Sequence, residues 1–485
     1  MVSTHTAGFI PSESRRDAEK ERKRLARELR KSTATPLDLV TDWPASKMPA
    51  TGHRRPQNLR GPRLANPPAH RGSSDQVGGA YLTLAATGEP FTGPYIGDDL
   101  LSLGPFSFDS WDAYAAGKIR SQSTCIIGVK GTGKSMLGKS WASRSIRLGR
   151  KVAVPHDPNG EWGRVADFVG GVTLRLGPGH SARINLLDPG LRPNGMSDED
   201  WNFDVLQYRR RVLRAAIALL RGTTALADEE HTALDLAVEY AQRRNSELIL
   251  PMLYEEVTNP DPEYAAKVGD AGVRLGHTLR RLVEGDVSGQ LDRPTTVRFD
   301  AQTPMVVVDD SAVSSASDTT RSLIRMATTN WIDRGTPVGR DQTRIVIHEE
   351  AAAALLGEVA SGSSLTERVA DEKVARHHGK SNWYLIHRIA DFDSLGDEGS
   401  AMHSRALGLL ADCEIRVSYA QHVGELERSA KVLGWNQTQT EMVGGLRIGE
   451  GFWQIGQNAE AKVRNVIHPN EMPHFTTDAK AGQRG

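Results

Sequence analysis

Only two cysteines, Cys125 and Cys413, occur in 485 residues. That number excludes a disulfide scaffold and makes a reducing compartment the expected location. No apolar run approaches the roughly 20 residues that span a bilayer. The opening residues, MVSTHTAGFIPSESRR, lack the basic-then-apolar pattern of a secretory signal. A cytoplasmic protein is therefore expected, with any attachment to the inner face of a membrane made through a partner. An excess of one charge sign is also missing, since 60 Lys+Arg stand against 60 Asp+Glu. Neither a globally basic nucleic-acid coat nor an acidic solvating chain fits that balance. No internal repeat with a period of about 20–50 residues occurs, which argues against a solenoid or propeller.

The overall neutrality hides a local imbalance. Residues 1–80 carry 15 Lys+Arg and 8 Asp+Glu. Within them, segment 15–31 (RRDAEKERKRLARELRK) reads as a solvated helix with no broad apolar face. A stretch rich in Pro, Gly, Ser and Arg follows, unable to bury enough surface to offset its conformational entropy. Residues 1–95 are expected to be a disordered basic tail, either solubilising or in contact with DNA, a membrane surface or a partner.

From about residue 96 short β-branched runs appear. They are Thr124–Ile127, Lys151–Val154, Val172–Leu176, Met305–Val308, Arg344–Ile347, Trp383–Ile386 and Ile415–Tyr419. Helical stretches such as Ser135–Leu148 and Thr319–Asp333 separate many of them. The alternation predicts an α/β fold with a mostly parallel central sheet, covered on both faces. Between 198 and 290 the strand signal vanishes, and Phe203–Arg221, Asp228–Arg244 and Ala271–Val283 read as amphipathic helices. The expected organisation is an α/β core in two parts, 96–197 and 294–470. An all-α insertion (198–293) divides them, and a short tail (471–485) closes the chain.

The strongest chemical signal is GVKGTGKS, made of Gly128, Val129, Lys130, Gly131, Thr132, Gly133, Lys134 and Ser135, with Met136 next in line. It follows the strand TCII and opens a helix, the context a Walker A phosphate loop requires. Glycines let the backbone wrap phosphates without a Cβ clash. Amides at the helix N-terminus point at the anion. Lys134 is expected to reach the β- and γ-phosphates and the Ser135 hydroxyl to ligate Mg2+, making the loop an ATP site. The loop does not name the reaction, because kinases and motors share it.

A second strand should end in a carboxylate that holds the magnesium. RIVIHEEAAAALL, Arg344–Leu356, fits, with Glu349 assigned to the metal shell and Glu350 to polarising the attacking water. The plain alternative is a strand running into an acidic helix N-terminus, where glutamate is favoured anyway. MVVVDDS, Met305–Ser311, is a rival, with two aspartates after a purer strand. Hydrolysis in a motor also needs a cation from a neighbouring subunit, and the residues themselves leave Arg376, Arg388 and Arg416 open.

Several separated segments resemble one family, the motor ATPases of conjugative transfer and type IV secretion within the FtsK–HerA translocase superfamily. They run in order from about Gly104 to Pro469: GPFSFDSWDAYAAGKI, the phosphate loop, HDPNGEW (His156–Trp162), RINLLDP (Arg183–Pro189), LADEEHTALDLAVEY, GDVSGQLDRPTTVRFD and LRIGEGFWQIG. The resemblance implies a RecA-like P-loop core. It also implies that Arg376 acts as an arginine finger in trans and that His387, in YLIHRIADF, holds the γ-phosphate sensor position, with Asp391 completing the motif. Two positions depart from the family pattern, which usually has Asp at 349 and Gln at 387. The large N-terminal domain of many relatives is replaced by the basic tail.

Other residues read as structural. Cys125, Trp383, Trp435 and Trp453 are expected in the core, and Lys139 and Arg144 on a solvated helix face. His377, His378, His387 and His403 match no zinc spacing. The expectation is an ATP-hydrolysing motor, assembled as a homo-oligomeric ring (a hexamer) and moving DNA or secreted protein through membrane-channel partners. Catalytic roles fall to Lys134, Glu350, Arg376 and His387. The alternatives are a non-hydrolysing, ATP-switched assembly scaffold and a P-loop phosphotransferase.

Overall fold

The computed structural model describes residues 20–21, 23–24, 91–222, 226–285, 287–297, 302–335, 343–349, 379–395, 407–408, 410, 412–457 and 459–476. The chain divides into two units, residues 1–82 and 83–485. In the first, Lys20, Glu21, Lys23 and Arg24 are helical and exposed. The rest of the expected tail up to residue 90 lies outside the described residues.

In the second unit, the described strands are β1 (Tyr95–Asp99), β2 (Gly104–Ser107), β3 (Thr124–Ile127), β4 (Lys151–His156), β5 (Val172–Arg175) and β6 (Met305–Asp309). They continue with β7 (Arg344–His348), β8 (Lys380–Ile386), β9 (Ile415–Ser418), β10 (Glu450–Ile455) and β11 (Ala459–Asn465). All lie in one sheet, ordered β2-β1-β11-β10-β9-β3-β8-β7-β4-β6-β5. From β9 to β5 neighbours run parallel, and from β9 to β2 they run antiparallel. The expected α/β class with a mostly parallel centre is what forms.

Burial on both faces explains the apolar runs. In β3, alternate side chains enter different clusters: Ile126 joins Trp141, Trp383 and Trp453 on one face, and Cys125 and Ile127 join Leu433, Trp435 and Val443 on the other. Trp141 stacks on Trp383 with ring centroids 4.0 Å apart. Trp383, Trp435, Trp453 and Cys125 are thus core residues, as expected.

Four helices follow one another between β5 and β6: Asp198–Arg221, Asp228–Arg244, Leu250–Thr258 and Pro262–Glu284. Their starts are locally encoded. Ser197 caps the first by accepting the Asp200 amide, and Pro262 occupies the first turn of the last. Leu213, Ala216, Ile217, Leu234 and Leu275 of this group share one apolar cluster with Leu174, Val306 and Val308 of the sheet. Among the described residues no helix is long and apolar enough to cross a membrane.

Candidate functional site

The phosphate loop leaves the carboxyl end of β3, in the middle of the sheet. The Gly128 N–H donates to the Ile386 carbonyl and the Val129 N–H to the Ala420 carbonyl, both at 3.2 Å. The loop is therefore seated on the ends of both flanking strands. Gly128 has φ 154°, and a Cβ there would lie 2.6 Å from Cβ of Tyr419. Gly133 has φ 114° and caps the helix Lys134–Ile146 with no side-chain hydrogen bond. A glycine is needed at that left-handed position, and its lack of a side chain leaves the amides of the first turn to face an anion.

Lys134 is buried, and its Nζ donates to the Val129 carbonyl at 3.0 Å. Burial pushes its ammonium pKa down to about 8, while the Glu349 carboxylate pulls it up. Glu349 directly follows β7. Only β8 lies between β3 and β7. At about 4.8 Å per strand, β7 ends about 10 Å from the loop strand, whereas β6 with Asp309 and Asp310 is about 19 Å away. The rival aspartates have structural partners instead. Asp310 accepts the Asp157 amide at 3.1 Å, and Asp309 accepts the Ser311 amide at 3.1 Å.

Burial raises the Glu349 carboxyl to about 7, opposed by a hydrogen bond from Trp162 and by Lys139. The Trp162 Nε1–H donates to Glu349 Oε1 at 2.8 Å. His387 follows β8, whose Ile386 pairs with Ile127, so His387 stands beside the loop's first glycine. Arg388 is exposed there, and its amide donates to Asp391 Oδ2 at 3.1 Å. Arg416 on β9 is turned to structure, donating to the Cys413 carbonyl at 2.9 Å and the Leu433 carbonyl at 3.3 Å. Glu350, Arg376, His377, His378 and His403 lie outside the described residues.

The donor set suits a magnesium–triphosphate group. A buried ammonium, an uncapped helix N-terminus and a glycine backbone bind phosphate oxygens. A hydroxyl at Ser135 and a carboxylate at Glu349 are hard oxygen ligands of the kind magnesium takes.

One expectation is overturned. Lys139 and Arg144 do not form a solvated face. Lys139 is fully buried and pairs with Glu161 at 3.0 Å. Its Nζ also donates to the Phe475 carbonyl at 3.3 Å. Arg144 grips Glu471 through two bonds of 2.9 and 2.5 Å. The segment running into the short helix Met472–Phe475 covers that side of the loop helix, which the helix's own charge pattern does not reveal. Gly449, inside the segment LRIGEGFWQIG, donates its N–H to the Thr132 carbonyl at 2.9 Å and ties the approach to β10 to the phosphate loop, a role the sequence does not announce.

No protein-family model and no curated protein matches the chain. Among solved structures, VirB4 of Thermoanaerobacter pseudethanolicus superposes with a TM-score of 0.64 at 20% sequence identity, covering 80% of this chain and 100% of that one. The chain has the VirB4 fold. Plasmid coupling protein TrwB in complex with ADP and Mg2+ gives a TM-score of 0.49 at 14% identity, over 80% of this chain and 99% of that one.

Within this VirB4 fold, the loop after β4 carries a testable charge. Asp157 accepts the Glu161 amide at 2.9 Å and the Trp162 amide at 2.7 Å. Burial raises its carboxyl from 3.8 to about 6. The folded chain therefore holds this proton more tightly than the unfolded chain. The resulting stabilisation is complete below pH 3.8 and is lost as pH rises through about 6. The unfolding free energy of wild type relative to Asp157→Asn is expected to fall by about 2 kcal/mol between pH 4 and 7. Denaturant titrations across that range check it, and a difference that grows with pH contradicts the assignment.

Proposed function

We propose that this chain is the ATPase subunit of a ring-shaped motor that drives DNA or protein substrates in conjugation or type IV secretion. What supports the reading is that the helix opened by Lys134 and the residue Glu349 follow the ends of β3 and β7, strands separated only by β8, within a VirB4 fold. ATP with Mg2+ supplies, when bound, the phosphoanhydride bond that water cleaves. Lys134 holds the β- and γ-phosphate oxygens, with Gly128–Met136 enclosing them. Ser135 and Glu349 hold the metal, and Glu350 accepts the proton of the attacking water. Arg376 completes a neighbour's site, and His387 reports the γ-phosphate to β8. A finger in trans requires head-to-tail contacts that close, hence a homo-oligomer and, in this reading, a hexamer. Channel components would hold the ring at the inner face of a membrane. In this organisation the core comprises 96–197 and 294–470, and the helices of 198–293 carry the motion outward.

A second reading is a non-hydrolysing scaffold that ATP switches between assembly states. What favours it is that Glu349 and His387 stand where the family usually has Asp and Gln. Steady-state phosphate release, measured against protein concentration and with single- or double-stranded DNA, separates the two. A motor gives a specific rate that rises with concentration as subunits meet, and DNA cargo adds stimulation. Nucleotide retained without phosphate release establishes the scaffold.

A further inference from the structure

The metal carboxylate at position 349 is one methylene longer than aspartate. Glutamate has an additional rotatable bond, so an unsupported Glu349 samples positions in which it misses a metal beside Ser135. The structure contains a strut for it. Trp162 is fully buried and gives its only polar group, the indole N–H, to Glu349 Oε1 at 2.8 Å. Indole is a donor only, so it matches the ionised, acceptor-only carboxylate.

The strut is itself anchored at both ends. Asp157 at the end of β4 accepts the amides of Glu161 and Trp162, which fixes the backbone from which the indole projects. Gly160 makes the turn at φ 63°, and a Cβ there would lie 3.5 Å from the Asp309 carboxylate. On the other side the indole lies beside the loop helix. A Cβ built on Gly138 would be 3.7 Å from the ring, and Lys139 Nζ sits 5.9 Å from its centroid. Lys139 in turn pairs with Glu161. The loop Asp157–Trp162 therefore ties the helix carrying Ser135 to Glu349 at the end of β7, although neither β4 nor β7 pairs with β3 directly.

We propose that Trp162 is a positioning residue for the metal: its indole N–H holds the longer carboxylate of Glu349 at the distance from Ser135 that magnesium requires. This rests on the reading of Glu349 as a magnesium ligand. Groups that orient a metal's ligands typically set affinity by about 10–100-fold. Trp162→Phe keeps an aromatic ring in the core, smaller than the indole, and removes the donor.

Two measurements test it. In the nucleotide-free protein with 15N-labelled tryptophan, the indole N–H signal that disappears in Trp162→Phe is expected to move in Glu349→Ala. In the second, ATP binding is titrated with Mg2+, or with Mn2+ by paramagnetic resonance. Trp162→Phe is expected to weaken the metal midpoint about tenfold. The cavity left by the smaller ring lowers the melting temperature by a few degrees, but ATP affinity in EDTA should change little, which separates this role from a merely structural one. Glu349→Asp, too short to meet the indole, should weaken the midpoint in the wild type and add little in the Trp162→Phe background. A metal midpoint within about twofold of wild type in Trp162→Phe, or additive penalties in the double variant, overturns the inference while leaving Glu349 as a ligand. A wild type whose ATP binding ignores Mg2+ overturns the ligand assignment and the strut with it.

Discussion

Lys134→Ala is expected to abolish measurable Mg–ATP binding while leaving the nucleotide-free protein at least as stable as the wild type. The two halves follow from one geometry. Lys134 is buried beside the loop, with one carbonyl partner at 3.0 Å, and burial lowers its ammonium pKa to about 8. The folded chain therefore binds this proton less tightly than the unfolded chain, and at neutral pH the buried charge costs stability, a cost that fades above pH 8. Alanine removes the cost along with one hydrogen bond. Binding fares differently. Charge-assisted hydrogen bonds contribute about 1.5–3 kcal/mol each, so losing those to two phosphates weakens affinity by about 10²–10⁴-fold. Melting curves with and without Mg–ATP check both halves. The wild type at about 100 times its dissociation constant gains about 2.7 kcal/mol, and Lys134→Ala gains nothing. A variant that is less stable without nucleotide, yet still stabilised by it, contradicts the placement.

Glu350→Gln should separate binding from turnover. The side chain keeps its size and loses the ability to take a proton from water. Nucleotide and magnesium affinity are expected to stay within about twofold of wild type, while phosphate release falls by about 10²–10⁴-fold. Single-turnover release from preformed Mg–ATP complexes measures the second quantity without interference from product release. Undiminished release would move water activation away from Glu350. His387, beside Gly128 at the end of β8, would then be the next residue to test.

The parts of this molecule that local sequence dictates were legible. Strands buried on both faces are written as short apolar runs, and the readings at Thr124–Ile127 and Arg344–Ile347 agree with β3 and β7 to within a residue. The phosphate loop was legible because its glycines, lysine and following helix are contiguous. The antiparallel half of the sheet was harder. β1 (YIGDD) and β2 (GPFS) carry glycine, proline and aspartate, which disfavour strands, and they form because β11 supplies partners for β1. β10 was reached only through a family resemblance, and β11 (AEAKVRN) not at all. Contacts between distant segments left no sequence signal. Trp162 meets Glu349 across 187 residues. Lys139 reads as surface because its neighbours on the helix are polar, but the carbonyl that covers it belongs to Phe475.

Gly97 of β1 pairs with Asn465 of β11, and β1 lies between that strand and β2. A nascent chain emerging from the ribosome therefore waits through more than three hundred and sixty residues of synthesis before β1 meets its partner, since Asp99 pairs with Val463. Until then the β1–β2 hairpin and the open side of β10 expose unpaired backbone that invites strand addition by other chains. Recombinant production of this protein should accordingly depend on slow translation or on holdase chaperones. Fragments ending before Ala459 should be recovered mainly as aggregates, even though they contain the whole phosphate loop.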